Sequence, residues 1–329
     1  MCAYTVSIVV PAYNAGKTIG PLLDSLLKLD YAEYDVIIVN DGSTDRTKEI
    51  VERYPVRLIN QPNRGASAAR DAGFRVASGE IVAYVDSDVT VARDWLRELV
   101  PAFSDPTVAA TTGQTIFLRN DTIASWLRSL DIARRNAHRK TYTCLANGPN
   151  SAFRRTVLAE VGGFDPRWYH AEDTEVSYKI GLRGYRIQYV PEAIAYHVPE
   201  EDWRTYIRKR YRDAKAFTRI LSRYARHATL DDDFVSTGMK VQPPIFLLTI
   251  LLGLVSAALL TTPWASLAAM AFLASLLLAL ALNIPEAVAV ARESRRTAFF
   301  FKGIGLNVVR GFAWGMGLGV GAVRHTIRG

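Results

Sequence analysis

Up to Tyr196 the apolar positions alternate between two periods. Val6–Val10 is a short β-branched run closed by Pro11-Ala-Tyr-Asn14, and behind it Ile19, Leu22, Leu23, Leu26 and Leu27 recur at helical spacing. The alternation repeats: strand Val36–Val39, turn Asn40-Asp-Gly-Ser-Thr-Asp45, helix to Tyr54, strand Val56–Ile59, helix Ala66–Ala77 and strand Ile81–Val85. Strands and helices alternating at these lengths predict an α/β fold, a mostly parallel sheet with helices on both faces. A further strand is predicted over Thr107–Phe117, a basic helical stretch over Ile123–Lys140, a tight turn at Asn147-Gly-Pro-Asn150, and a strand over Arg186–Tyr196. Between the last two, Val176, Tyr178, Ile180 and Leu182 mark a helix.

Behind this region the pattern changes twice. Over Trp203–Tyr224, with each residue turned about 100°, Trp203, Ile207, Ala214, Phe217, Leu221 and Tyr224 fall on one stripe. Arg204, Arg208, Arg212, Lys215, Arg219 and Arg223 fall opposite, and Arg210 lies on the apolar side. This is an amphipathic basic helix, suited either to the headgroup layer or to packing on a folded domain. Then Ile245–Ile284 carries no charge at all. Ile245–Thr262 and Trp264–Ile284, bent at Pro263, are each long enough to cross a hydrocarbon core of about 30 Å. The stretch Pro285–Lys302 reads as a loop, and its Arg292, Arg295, Arg296 and Lys302 assign it to the cytoplasm. Gly303–Val323 is a third apolar segment, interrupted by Asn307 and Arg310, with Gly311, Gly315 and Gly319 at the spacing that lets helices approach closely. Spanning and interfacial placements of that segment both remain open.

The 329 residues carry a net charge of +8, which raises the question of nucleic acid. Much of the excess lies in Arg204–Arg226, directly before the apolar segments and outside any nucleic-acid-binding motif, so membrane lipid is the expected partner. Cys2 and Cys144 are the two cysteines, which predicts neither a disulfide framework nor a zinc site. Met1–Pro11 has a strand pattern and lacks the basic start and apolar centre of a signal peptide. The expected location is the cell membrane, multi-pass, with the first domain in the cytoplasm.

Candidate chemistry begins where the strand Ile81–Val85 runs into Asp86-Ser-Asp88. Ligands of open parallel sheets bind beyond the carboxyl ends of the strands, and hard carboxylate oxygens there suit a divalent ion that also holds phosphate. Short acidic pairs also occur in plain turns. Asp41 lies at another strand end, while Ser43–Asp45 are accounted for as helix caps. Two acid-bearing strand ends on one rim would form a cleft for a base and a pyrophosphate. Arg70 stands at a loop–helix junction, either as a solvated helix residue or as a phosphate contact.

The ordered segments Val6-Ser-Ile-Val-Val-Pro-Ala-Tyr-Asn14, Val39-Asn-Asp-Gly-Ser-Thr-Asp45, Asn63-Arg-Gly-Ala-Ser-Ala-Ala-Arg-Asp-Ala-Gly73, Val85-Asp-Ser-Asp88, Gly148-Pro-Asn-Ser-Ala-Phe-Arg-Arg155, Gly162-Gly-Phe-Asp165 and Glu172-Asp173 resemble family 2 glycosyltransferases of the GT-A fold, from Val6 to about His197. Asp71 stands where that family commonly has Asn. The resemblance implies a nucleotide-sugar-binding half over 1–118, an acceptor-side half over 119–200, an interfacial helix and linker over 201–240 and a membrane region over 241–329. It implies donor binding by Pro11, Tyr13, Asn14, Asp41, Arg70, Asp86 and Asn150, with Asp41 accepting the imide N–H of uracil. Mn2+ or Mg2+ would be held by Asp86, Asp88 and His197. Asp173 would be the general base of an inverting transfer, supported by Glu172. Acceptor or phosphate contacts would fall to Arg208, Arg210 and Arg212. Processive synthases of the family carry Gln-x-x-Arg-Trp near this point, where the chain has Arg208-Lys-Arg-Tyr-Arg212.

The implied activity is transfer of a sugar from a UDP- or GDP-sugar to a lipid-linked or glycan hydroxyl. A polyprenyl-phosphate glycosyltransferase is the alternative acceptor chemistry. A degenerate domain that binds only a lipid or a protein is disfavoured, because no scaffold needs Asp41, Asp86, Asp88 and Asp173 together.

Overall fold

The structure is a computed structural model that describes residues 4–199, 202–224 and 237–328. Cys2, Arg226 and the linker over 225–236 lie outside the described residues. The chain divides into two units: residues 1–118 and 135–198 in the first, residues 119–134 and most of the chain from 199 onward in the second.

The first unit is built on one sheet of nine strands: β1 Val6–Ala12, β2 Tyr34–Asp41, β3 Arg57–Gln61, β4 Ile81–Tyr84, β5 Val89–Val91, β6 Val108–Phe117, β7 Tyr142–Thr143, β8 Ser151–Arg154 and β9 Arg186–His197. Their order is β3-β2-β1-β4-β8-β6-β9-β5, with β7 beside β9. The expected parallel ladder holds across β3-β2-β1-β4 and between β6 and β9. It is interrupted by β8, antiparallel to both β4 and β6, and closed by β5, antiparallel to β9. The sheet is therefore mixed, with most of its paired length parallel.

Alternation along β1 feeds both faces. Val6, Ile8 and Val10 pack with Leu22, Leu23 and Leu26 of α1 (Ile19–Leu26) and with Trp95 and Leu99 of α4 (Trp95–Leu99). Val9 points the other way, into a cluster with Ala69 of α3 (Ala66–Val76), Leu158 of α6 (Arg155–Glu160) and Ile180 of α7 (Glu172–Leu182). Each fully buried Leu or Ile contributes about 1.5–3 kcal/mol, so the two apolar layers fix the pleat and thereby which residues reach the carboxyl rim. Pro11 fits in a central strand because β4 stops pairing at Val9↔Tyr84; the missing N–H would fall beyond that ladder. Short α2 (Thr47–Val51) and α5 (Ile123–Ala137) complete the helices of this part of the chain.

The second unit contains the start of α5 and α8 (Trp203–Tyr224), α9 (Thr237–Ala258), α10 (Ala265–Ala281), α11 (Ile284–Ser294) and α12 (Ala298–Arg328). Val241–Ala258, Ala265–Ser294 and Ala298–Val323 are long and apolar enough to cross a membrane. The loop expected over Pro285–Lys302 is instead α11 and the first turn of α12. Its Glu286 is 9% exposed and takes a forked ion pair from Arg310, with Nη1–Oε1 3.0 Å and Nη2–Oε2 2.6 Å. The same two nitrogens also donate to neighbouring helices, Nη1 to the Tyr206 hydroxyl of α8 and Nη2 to Gln242 Oε1 of α9, each at 3.2 Å. The charges that suggested an interruption are thus neutralised within the helix bundle.

Two glycine rows on α12 let its neighbours come close. Gly311 and Gly315 of the expected row face Phe246 and Leu247 of α9. A second row, Gly317 and Gly321, faces α8, where a Cβ on Gly317 would lie 2.6 Å from the Tyr211 carbonyl oxygen.

Candidate active site

Asp41 ends β2 and is 3% exposed. Its Oδ1 accepts from Gln61 Nε2 at 2.6 Å and from the Arg64 amide at 2.9 Å, and its Oδ2 accepts from the Gly65 amide at 2.8 Å. A carboxylate offers about four acceptor positions, so one on Oδ2 stays free while the others order the loop into α3. Gly42 beside it has φ +73°, and a Cβ there would meet the Asn63 amide nitrogen at 2.7 Å, so this turn requires glycine. Asn14, itself at φ 50°, ties the two strand ends together: its amide donates to Ser43 Oγ at 3.0 Å and its Oδ1 accepts from the Thr44 amide at 2.8 Å. Tyr13 beside it is half exposed, whereas Pro11 is buried.

Arg70 is 3% exposed, which removes the solvated reading. Its Nη2 lies 2.5 Å from Asp86 Oδ1, and its Nη1 donates to Glu172 Oε1. Asp173 follows, its Oδ2 accepting from the Gly148 amide at 3.0 Å and its Oδ1 from the Thr174 amide at 2.7 Å. Gly148 is seated between the charges, since a Cβ would stand 3.2 Å from Arg70 Nη2 and 3.4 Å from Asp173 Oδ2. Ala171 enters α7 in the left-handed region at φ 61°, a strained conformation for a residue with a Cβ. Burial favours the neutral form of Arg70, but Asp86, Glu172 and Asp173 outweigh it and raise its pKa. Burial pushes the Glu172 carboxyl upward; Arg70 opposes that and neighbouring Asp173 reinforces it. Three carboxylates and one guanidinium leave formal negative charge at this point, suited to a cation.

Asp88 stands where β5 begins to pair with the end of β9, and its side chain is 41% exposed. His197 Nε2 lies 3.5 Å from Asp88 Oδ1, its Nδ1 lies 2.8 Å from the Val198 carbonyl oxygen, and Phe117 stacks on the ring at 4.2 Å. Because a carbonyl only accepts, Nδ1 carries a proton, and Nε2 faces the Asp88 carboxylate. An Nδ1–H donated to a carbonyl is the usual outer support of a metal-binding imidazole. Among the described residues no group of three or more His, Cys, Asp or Glu forms a ready metal cluster, and Asp86 is turned to Arg70. Asp88 and His197 fit as a partial set to be completed by phosphate oxygens and water, the way Mg2+ is commonly held.

Asn150 stands apart from the charged groups. It is fully buried, its Oδ1 accepting from Trp95 Nε1 at 2.8 Å and its Nδ2 donating to the Ala193 and Gln114 carbonyls at 3.0 and 3.1 Å. Its amide therefore joins β6, α4 and β9 beneath the cleft. Gln61 and Trp95 are supporting residues that the sequence pattern did not single out. In the second unit, Arg208 and Arg212 are exposed, whereas Arg210 is buried and pairs with Asp213 at 3.0 Å.

Residues 7–162 match the profile of Glycosyl transferase family 2. The poly-beta-1,6-N-acetyl-D-glucosamine synthase of Staphylococcus aureus (strain COL) is 29% identical over 257 residues, covering 74% of this chain and 60% of that protein. An N-acetylglucosaminyltransferase of Rhizobium sp. (strain N33) is 29% identical over 293 residues, covering 79% and 64%. The chain thus spans less than two thirds of the length of the curated relatives it matches. A mannosyltransferase from Pyrobaculum calidifontis, solved with GDP-Man and Mn2+, superposes with a TM-score of 0.62 at 24% identity over 98% of this chain and 88% of that one. Residues 1–349 of S. aureus TarS superpose at 0.54 and 19% identity, over 94% and 89%. These likenesses show a GT-A-like fold.

Proposed function

We propose that this chain, whose residues 7–162 match the profile of Glycosyl transferase family 2, is a membrane-anchored, inverting, metal-dependent transferase that moves a sugar from a UDP- or GDP-sugar to a lipid-linked or glycan hydroxyl. The observation that carries this reading is Arg70, which ties Asp86 at a strand end to Glu172 at the head of a helix. Donor-side and acceptor-side acids, distant in sequence, thereby share one point on the rim of the sheet.

Asp173 is the general base that takes the acceptor's proton. Glu172, held by Arg70, supports it. Asp41, Tyr13 and Asn14 hold the nucleotide, and Asp86 orients the ribose. Asp88 and His197 with Asp86 would hold Mn2+ or Mg2+, which when bound neutralises charge developing on the nucleotide diphosphate. Use of a divalent ion is consistent with the Mn2+ of the mannosyltransferase neighbour. The three apolar helices support a membrane location. The multi-pass arrangement with the catalytic unit in the cytoplasm rests on Arg292, Arg295 and Arg296. The relatedness to a polysaccharide synthase favours a glycan hydroxyl as acceptor, while Arg208–Arg212 in place of Gln-x-x-Arg-Trp favours addition of few sugars over many.

The test is a panel of UDP- and GDP-sugars with Mn2+ or Mg2+ and membrane extract, reading nucleotide release and the length of the product. Metal-dependent release with one donor is the expected result. Silence across the panel from folded protein would favour the lipid- or partner-binding alternative.

A further inference from the structure

In the first unit the loop over 165–171, which leads into α7, is anchored at both ends. At its start the Asp165 carbonyl accepts from Ser67 Oγ of α3 at 2.8 Å and from the Trp168 amide at 2.9 Å, and the Trp168 ring is fully buried. At its end Ala171 takes the left-handed conformation and Arg70 holds the next residue, Glu172. Between these anchors stands Tyr169, 68% exposed. One exposed tyrosine is ordinary on a protein surface. This one is set apart by what its edge touches.

A Cβ on Gly65 would stand 3.2 Å from both Tyr169 Cδ2 and Tyr169 Cε2, and no other ring carbon comes within 4 Å of that point. A ring lying flat there would bring its next carbons within that distance too, so Tyr169 meets Gly65 edge-on and Gly65 covers neither of its faces. Gly65 is also the residue whose amide donates to Asp41 Oδ2. That oxygen keeps the open acceptor position of the carboxylate, because Oδ1 already takes Gln61 Nε2 and the Arg64 amide. A group that donates to Oδ2 therefore lies beside the Gly65 amide, and the Tyr169 ring borders the same residue.

We propose that the Tyr169 ring stacks on the nucleobase of the donor, so that the loop leading to Glu172 and Asp173 supplies one wall of the nucleotide site. The proposal rests on the transferase reading above and adds to it a donor-binding residue on the acceptor-side half of the chain. A nucleobase meets both demands of this place, a ring N–H to donate to Asp41 Oδ2 and a π face to lie against an open aromatic one. A phosphate is repelled by the carboxylate. A sugar hydroxyl that reached Oδ2 would bring no planar face to set against the ring. The anchors on either side of Tyr169 hold the ring in place before any ligand arrives, which keeps the entropy cost of stacking low.

The experiment is calorimetry on the full chain in detergent, with Mn2+ and no acceptor, using UDP, GDP and inorganic pyrophosphate as probes. Tyr169→Ala should weaken whichever nucleotide the wild type binds by about tenfold, the scale of one lost base–aromatic stack, and leave pyrophosphate affinity unchanged. Tyr169→Phe keeps the ring and should bind as the wild type does. Melting temperature should stay the same in both variants, because the side chain is largely exposed. An equal loss for nucleotide and pyrophosphate would mean that the loop, not the base, depends on Tyr169. A loss in Tyr169→Phe as large as in Tyr169→Ala would assign the contact to the hydroxyl; either result overturns the stack. Wild-type protein that binds neither UDP nor GDP refutes the transferase reading and the stack with it, whereas nucleotide binding that survives Tyr169→Ala at full strength refutes the stack alone.

Discussion

Arg70 Nη2 lies 2.5 Å from Asp86 Oδ1, with the guanidinium side chain only 4% exposed. The same guanidinium carries Glu172 on its other nitrogen, so it holds two acids at once. Removing one partner from a buried charged set leaves uncompensated charge and costs about 3–5 kcal/mol. Arg70→Met should therefore destabilise the first unit by that amount in denaturant unfolding, and Arg70→Lys should recover part of it. A fully stable Arg70→Met protein would show that the network does not brace the site.

Glu172 supplies a pH dependence with a definite sign. Burial raises its carboxyl above the ordinary 4.5, so between 4.5 and the raised value the folded chain binds more protons than the unfolded one. Stability from this group is fully present below pH 4.5 and is lost as pH rises through the folded value. Glu172→Gln removes the titration. The melting-temperature difference, wild type minus Glu172→Gln, should fall as pH rises from 4.5 toward neutral, and a difference that grows would reverse the assignment.

Asp88 Oδ1 and His197 Nε2 face each other across 3.5 Å. If a divalent ion completes that pair together with a nucleotide diphosphate, calorimetric Mn2+ binding in the presence of UDP or GDP should weaken strongly in Asp88→Asn. In His197→Ala it should weaken about 10- to 100-fold, the range of a lost outer support or peripheral ligand. Melting temperature should change little, because the Asp88 side chain is 41% exposed. Unchanged Mn2+ affinity in both variants would move the metal elsewhere.

Local chemistry made much of this molecule legible. The β-branched run Val6–Val10 and the helical recurrence from Ile19 to Leu26 correspond to β1 and α1, because both layers bury them. The start of α8 at Trp203 is marked by Asp202, which accepts from the Arg204 and Thr205 amides at 2.7 and 3.1 Å. Long-range partners were not legible. The three residues of β5 are β-branched but too short a run to stand out as a strand, and pairing with β9 orders them. The antiparallel entry of β8 between β4 and β6 is a property of the sheet, not of Ser151–Arg154. Arg70 has the sequence surroundings of a solvated helix residue, and its partners Asp86 and Glu172, 16 and 102 positions away, make it a buried one. Arg310 misled for a related reason: it interrupts the apolar pattern of 303–323 until Glu286 is brought against it.

That second pair predicts its own mutational pattern. Arg310→Met alone strands Glu286 in an apolar bundle and should cost about 3–5 kcal/mol, whereas Arg310→Met with Glu286→Leu should come out near neutral. Thermal unfolding of the full chain in detergent measures both. Equal losses in the single and double variants would mean that Tyr206 and Gln242, not the ion pair, depend on Arg310.

The last prediction uses Asp173 to separate two acceptor chemistries at the proposed site. A lipid phosphate has a second ionisation near about pH 6, so its attacking oxygen is mostly anionic at neutral pH and needs no base. A sugar hydroxyl is a far weaker acid, and taking its proton during attack is worth about 10² to 10⁴ in rate. Asp173 has the geometry for that role: Gly148 and Thr174 amides hold both its oxygens and fix the carboxylate, while the nearby Arg70 gives its own hydrogen bonds to Asp86 and Glu172. Each oxygen keeps acceptor capacity beyond those contacts. Asp173→Asn preserves the shape and removes the basicity, so turnover should fall by about 10² or more while donor affinity stays near that of the wild type. A small loss would assign Asp173 to positioning and make the acceptor a lipid phosphate.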